Sequence, residues 1–254
     1  MIKIIMNGCN GKMGQVISQI VRDDADTEIV AGVDLVDNRD NGYPVFTDIM
    51  ECDVQADVVI DFSSAKAADR LLEYCEARKI PVVVCTTGLS EEQVKKVEML
   101  SKKQAVLRSA NMSLGVNTLL KLLQDAAKVL APAGFDMEIV EKHHKHKVDA
   151  PSGTALAMAD SLNESLGNEY HYVFDRSQVR QERDKKEIGI SAVRGGNIVG
   201  EHEVIFAGVD EVIKFKHTAY SKAVFGNGAV QAAKFLAGKP AGLYNMGDVI
   251  ADHC

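Results

Sequence analysis

Three of the chain's seven histidines, His143, His144 and His146, fall within four positions of the run EKHHKHKVDAPSGTA, Glu141 to Ala155. Lys142, Lys145 and Lys147 flank them, so a protein of formal net charge −7 gathers cationic and proton-exchanging groups in one short stretch. Imidazoles exchange protons near neutral pH, and a lysine beside them adds fixed charge or a further proton. Pro151-Ser152-Gly153-Thr154 follows, and then Ala155, Leu156, Ala159 and Leu162 at helical spacing. Gly153 and Thr154 therefore sit at a helix N-terminus, whose amides and positive dipole end suit a carboxylate. An anion-binding catalytic site is one reading of the run. A second is metal chelation by His143/His146 or His144/His146. The interleaved lysines repel a divalent ion, and no cysteine or spaced carboxylate completes a ligand set, so no metal is expected. A third is a solvated basic face, the common fate of a charge run.

A second chemical signal is GCNGKMG, which spaces Gly8, Gly11 and Gly14 as G-x-x-G-x-x-G between an apolar strand and a helical pattern. Side-chain-free positions let the backbone of Gly8, Cys9, Asn10, Gly11, Lys12 and Met13 approach a pyrophosphate at a helix N-terminus. A plain strand-turn-helix junction is the alternative. Asp34, 20 residues beyond Gly14, ends the next strand, where a carboxylate can accept from a ribose hydroxyl. Such a carboxylate repels a 2′-phosphate and tilts the cofactor towards NADH rather than NADPH. Leu35 supplies no compensating cation, whereas Lys12 and Arg39 are near enough in sequence to do so.

The elements that must position these groups alternate at first. Strands are expected at Ile2–Asn7, Glu28–Asp34, Ala56–Ser63, Pro81–Thr87 and Ala105–Asn111, with helices at 14–22, 65–78 and 90–103. Ser90 and Gln93 form a capping-box pattern. Repeated β-α-β units with apolar strands imply a parallel sheet covered on both faces. The turns CTTG and SANMS end successive strands of it, at the edge where open α/β sheets take ligands. That places Cys85, Thr86 and Thr87, and Ser109, Ala110, Asn111 and Met112, to touch a nicotinamide. Thr86, Thr87 and Ser113 would also serve as helix caps.

Beyond a boundary near 111–115 the rhythm changes. A long amphipathic helix covers 115–130, a strand begins at Asp136, and a helix covers 154–166. A charged excursion over 167–186 precedes three β-rich runs, IGISAVR, IVGEHEVIFAG and EVIKFKHTA, whose alternation fits an antiparallel or mixed sheet covered on one face. A helix from about 226 to 236 and a short tail close the chain. The fold class is α/β: a Rossmann-type parallel sheet plus an inserted α+β domain.

Net charge −7 and a pI near 5.5 argue against a nucleic-acid partner. No segment has the roughly 20 apolar residues of a membrane span. Cys9, Cys52, Cys75, Cys85 and Cys254 are odd in number and unpaired in pattern, as in a reduced cytoplasmic chain.

E-I-V-E-x-H-H-x-H-K-x-D-x-P-S-G-T-A, Glu138 to Ala155, resembles the signature of the 4-hydroxy-tetrahydrodipicolinate (dihydrodipicolinate) reductases of diaminopimelate and lysine biosynthesis. The glycine loop, Asp34, T-T-G, S-A-N-M-S-x-G-V-N, Gly196–His202 and Phe225–Ala229 extend the resemblance over the whole chain. It implies a nucleotide domain at 1–112 to which 219–254 return, and a substrate and oligomerisation domain at 113–218 that builds a homotetramer. It further implies NAD(P)H-dependent reduction of a small dicarboxylate with loss of water. His143 would be proton donor/acceptor, Lys147 a proton donor, His144 a substrate ligand, and Gly153 and Thr154 the holders of one carboxylate. Gly8 to Met13, Asp34, Cys85 to Thr87 and Ser109 to Met112 would contact the dinucleotide. Cys85 stands where the family commonly has glycine, and Leu35 where it commonly has arginine. A non-enzymatic dinucleotide sensor and a homoserine-type dehydrogenase are the rival readings.

Overall fold

The N-terminal alternation folds as β1 (Ile2–Asn7), α1 (Lys12–Arg22), β2 (Thr27–Val33), β3 (Val45–Phe46), β4 (Val58–Asp61), α2 (Ala68–Arg78), β5 (Val82–Val84), α3 (Glu91–Ser101) and β6 (Ala105–Arg108). There follow α4 (Leu114–Leu130), β7 (Asp136–His143), α5 (Gly153–Ser165), β8 (His171–Val173), β9 (Glu187–Arg194), β10 (Gly200–Ala207) and β11 (Val212–Ala219). The chain ends in α6 (Ala223–Leu236), β12 (Gly242–Tyr244) and α7 (Met246–Asp252). This computed structural model describes residues 1–177 and 180–252; Cys254 lies outside them. Two compact units result, Met1–Leu114 with the chain from Lys222 onward, and Gly115–Ser221.

The first unit is a seven-stranded parallel sheet in the order β12-β6-β5-β4-β1-β2-β3. Successive strand residues face opposite sides, which explains the continuous apolar runs. Ile4, Met6 and Ile60 join Ile17 of α1 and Val230, Ala233 and Leu236 of α6 in one core. Ile5 and Val59 join Leu71 and Tyr74 of α2 and Val97 and Leu100 of α3 in the other. Each Val, Leu, Ile or Met among them contributes about 1.5–3 kcal/mol on burial. The Ser90–Gln93 capping box forms and starts α3.

The second unit is a mixed sheet in the order β11-β10-β7-β9-β8, with β10 antiparallel to β7 and β11, and β9 parallel to β7 and β8. One face carries Met137, Ile139, Ile188, Ile190, Val204 and Phe206 against Leu119 and Leu123 of α4 and Met158 and Leu162 of α5. The other bears a cross-strand charge ladder, Lys216 to Glu201 at 2.9 Å and Lys214 to Glu203 at 3.1 Å.

Three strands escape the sequence reading. β3, β8 and β12 have two or three residues each, too few to show a period, and each lies at a sheet edge. β8 lies inside the run expected to be an excursion, and β12 and α7 occupy the expected tail.

Candidate active site

Steric exclusion shapes the glycine loop. Gly8 has φ +86°, and a Cβ there would stand 2.6 Å from the Phe62 carbonyl oxygen. A Cβ at Gly14 would lie 2.2 Å from the Gly8 oxygen, so only glycine lets α1 start this close to β1. Gly11 is the N-cap of α1 and offers no side-chain cap, leaving the first amides for another acceptor. Gln15 braces the loop from within, donating through Nε2 to the Cys9 carbonyl at 2.9 Å and to Asn41 Oδ1 at 2.8 Å. Asn41 in turn donates to Asn10 Oδ1 at 2.9 Å.

Asp34 follows β2 directly. Its carboxylate accepts from the Asn10 amide at 2.8 Å and from the Leu35 amide at 2.8 Å. Leu35 and Val36 lie exposed beside it. Together these features fit a dinucleotide: a side-chain-free loop at a helix start, and a fixed carboxylate one strand away.

Several expected contacts can act through backbone alone. Cys9 is fully buried, its thiol pushed up to about 11 by burial and by the nearby Asp34 charge. Cys85 lies in the core with its thiol pushed well above the ordinary range by burial, and by the Asp61 charge behind it. Its bulk therefore does not stand in the turn. Met112 is also a core residue, and its carbonyl presses on α6 where a Cβ at Gly228 would meet it at 1.6 Å. Ser109 Oγ donates to the Asn111 carbonyl at 2.8 Å, and Asn111 Oδ1 accepts from the Ser113 amide at 2.9 Å. Lys12, Thr87 and Ala110 are exposed, and Asn10, Met13 and Asn111 half-buried.

Asp61 was missed by the sequence reading. It ends β4 fully buried, and its Oδ1 accepts from Asn7 Nδ2 at 2.8 Å, Ser63 Oγ at 2.6 Å and the Ser63 amide at 3.1 Å. Among the described residues its Oδ2 and the buried Thr86 hydroxyl find no hydrogen-bond partner. Desolvation raises the Asp61 pKa against the pull of these donors.

In the second unit, the alternation of β7 points Met137, Ile139, Glu141 and His143 inward. The first two feed the core and the last two turn its end polar. Cross-strand register brings His202 of β10 opposite Glu141 and Arg194 of β9 opposite His143. Glu141, wholly buried, accepts from Arg194 Nη1 and Nη2 at 2.7 Å each, from the Ser152 amide at 2.9 Å, and pairs with His143 Nδ1 at 2.7 Å. Burial alone would raise the Glu141 pKa, but Arg194, His143 and the Ser152 amide outweigh it and hold the carboxyl below the usual range.

Ser152 caps α5, accepting at Oγ from the Ala155 amide at 3.2 Å. The same hydroxyl shares a proton with His202 Nε2 at 2.9 Å. Burial, assisted by the facing His143, lowers the His202 pKa to about 4, so this ring is neutral. Its plane stands edge-on to His143 with centroids 5.1 Å apart, and His217 lies 6.4 Å beyond. Gly153 and Thr154 occupy the first turn of α5, and a Cβ on Gly153 would meet open space. Lys147 Nζ pairs with Asp149 Oδ1 at 2.8 Å, and His144 and His146 stand with rings 6.3 Å apart. Glu141 thus links His143 to Ser152, the residue before Gly153 and Thr154, while Lys147 pairs with Asp149. The structure adds Glu141, Arg194, His202 and His217, which the sequence reading assigned no role. The inward phase of β7 was the available signal: a glutamate and a histidine in register with core residues.

Family models described as dihydrodipicolinate reductase, N-terminus and C-terminus, match residues 2–112 and 115–250. A 4-hydroxy-tetrahydrodipicolinate reductase of Caldanaerobacter subterraneus subsp. tengcongensis is 53% identical over 98% of both chains. One from Clostridium novyi is 50% identical over 98% of both. A dipicolinate-bound dihydrodipicolinate reductase from Paenisporosarcina sp. TG-14 shares the fold, with TM-score 0.82 at 23% identity over 96% of this chain and 97% of that one.

Proposed function

This chain belongs to the dihydrodipicolinate reductase family, and from that premise we propose how its residues divide the work. The reaction is the NAD(P)H-dependent reduction of 4-hydroxy-tetrahydrodipicolinate to tetrahydrodipicolinate with loss of water, a step of diaminopimelate and lysine biosynthesis. Losing the hydroxyl as water moves one proton from ring carbon to leaving oxygen, and reduction adds one hydride and one proton. Reduced nicotinamide, when bound, supplies the hydride.

The chain's own groups supply place and protons. Gly8 to Met13 hold the pyrophosphate by their amides, Asp34 accepts from the ribose, and Leu35 and Val36 give the base apolar cover. Cys85 to Thr87 and Ser109 to Met112 place the nicotinamide. Gly153 and Thr154 amides hold one ring carboxylate at the α5 N-terminus, and His144 adds a donor. His143 exchanges a proton with the ring, and Lys147, released from Asp149, delivers another as charge develops. NADH is preferred, because Asp34 stands where a 2′-phosphate would go and Leu35 offers no cation. The enzyme works in the cytoplasm as a homotetramer. Among the described residues no helix is long and apolar enough to cross a membrane.

The single observation that carries this reading is the Glu141-anchored His143 beside the capped start of α5, on a chain with a built dinucleotide loop. Aspartate semialdehyde, pyruvate and the upstream synthase supply the substrate, and loss of NADH or NADPH absorbance is followed separately. Oxidation of NADH at the higher kcat/KM is the expected result. A folded protein that oxidises neither would end the reading, and sedimentation velocity checks the tetramer.

A further inference from the structure

We propose that Glu141, clamped by Arg194, is a positioning residue that fixes the tautomer of His143 and so assigns proton exchange to His143 Nε2. The proposal deepens the reading of His143 as the proton donor/acceptor and rests on it.

Four hydrogen-bonding groups converge on one buried carboxylate: both Nη atoms of Arg194, the Ser152 amide and His143 Nδ1. Arg194 is itself held, donating from Nη2 to the Asp149 carbonyl at 2.6 Å and from Nη1 to the Val193 carbonyl at 2.8 Å. The planar guanidinium meets the carboxylate through both its terminal nitrogens, so the acid has one orientation available. An ionised carboxylate can only accept, so the shared proton belongs to His143 Nδ1. The ring is then neutral with its lone pair on Nε2, or cationic with Nε2–H outward.

The far side of the ring is kept open. A Cβ on Gly200 would stand 3.1 Å from His143 Nε2, so the absence of a side chain there leaves that nitrogen room for a ligand. His202 packs edge-on against the ring and stops it from turning. The Ser152 amide ties the same carboxylate to the residue that caps α5. One buried acid thus sets the direction of the proton exchanger beside a helix start that the Ser152 hydroxyl already caps.

The experiment compares wild type with Glu141→Gln, and uses His143→Ala as the control for the underlying reading. Nitrogen-15 correlation spectra of the His143 ring should show the Nδ1–H tautomer in wild type and lose it in the variant. A neutral amide cannot accept from every donor that meets the carboxylate, so the clamp breaks. The kcat of Glu141→Gln should fall roughly 10- to 100-fold, the scale of losing the partner that orients a histidine. KM should change less than about threefold, against the roughly 10²- to 10⁴-fold rate loss expected of His143→Ala. The kcat–pH limb reporting the proton exchanger should move to lower pH once the anion beside it is gone. A merely structural acid would lower melting temperature without moving that limb or the tautomer. Should Glu141→Gln fail to fold, Arg194→Lys keeps the charge and removes the planar clamp, and should show an intermediate rate. An Nε2–H tautomer in wild type, or an unchanged rate and limb in Glu141→Gln while His143→Ala is crippled, overturns the proposal and leaves the reading standing. Full activity in His143→Ala overturns both.

Discussion

The Asn10 amide donates to Asp34 Oδ2 at 2.8 Å, so the tip of the glycine loop and the end of β2 form one hydrogen-bonded corner. The carboxylate cannot swing aside without leaving that amide unpaired. A 2′-phosphate brought to the corner would therefore meet a fixed negative charge. Asp34→Ser should narrow the proposed preference for NADH over NADPH by about tenfold or more, since like charges placed together cost several kcal/mol. Initial rates with each nucleotide at several concentrations measure it, and an unchanged ratio would place the discrimination elsewhere.

On the proposed reading Lys147 is a proton donor and Asp149 only its resting partner. Their 2.8 Å pair is partly exposed, and lysine holds the Asp149 carboxyl below its usual range. Exposed pairs are worth at most about 1 kcal/mol, so releasing the ammonium is cheap. Lys147→Ala should lower kcat roughly 10²- to 10⁴-fold with NADH binding unchanged. Asp149→Asn should stay within a few-fold of wild type in the same assay. Equal damage from both would mean that the pair itself is what the reaction needs.

How far the chain disclosed this site in advance depends on range of interaction. The glycine spacing, Asp34 and the PSGT helix start are local patterns, and a fixed offset along the chain is all they require. The Glu141–Arg194 clamp spans 53 residues, and His202 reaches Ser152 across 50, so only sheet register joins them. β7 was expected as a strand, yet which glutamate faced inward depended on the phase set by Met137 and Ile139. Asp61 sat in an otherwise apolar strand and gave no sign of three donors arriving from Asn7 and Ser63. The edge strands β3, β8 and β12 owe their form to neighbours rather than to pattern. Helix ends fared better, because caps such as Ser90 and Ser152 are written in a few adjacent residues.

Gly153 and Gly228 make a paired test of what glycine is for. A Cβ at Gly228 would overlap the Met112 carbonyl oxygen at 1.6 Å, within the α6 contact that covers the first sheet. Gly228→Ala should cost about 1–3 kcal/mol, lowering the melting temperature by roughly 2–12 °C in a chain of this size. Gly153→Ala meets nothing within 4 Å and should leave melting unchanged or slightly raised. Its effect should fall on KM for the dicarboxylate instead, since the proposed function has the ring carboxylate approach there. Differential scanning calorimetry and steady-state kinetics on the two variants separate the roles.

Asp61 should make the first unit less stable as pH rises. Its carboxyl is buried and raised above the ordinary aspartic-acid range, chiefly by desolvation, so the folded chain keeps a proton that the unfolded chain releases. Where the folded state binds more protons, unfolding free energy falls with increasing pH. The contribution is thus fully present below the unfolded value of about 4 and is lost as pH climbs through the folded value. Asp61→Asn removes the titration while keeping an oxygen for Asn7 and Ser63, and adds an amide on the side where Oδ2 makes no hydrogen bond. Denaturant midpoints taken from pH 5 to 9 should decline less steeply in Asp61→Asn than in wild type, with the variant ahead at the alkaline end. Parallel curves would show that Asp61 is ionised throughout, held so by donors whose pull exceeds the cost of burial.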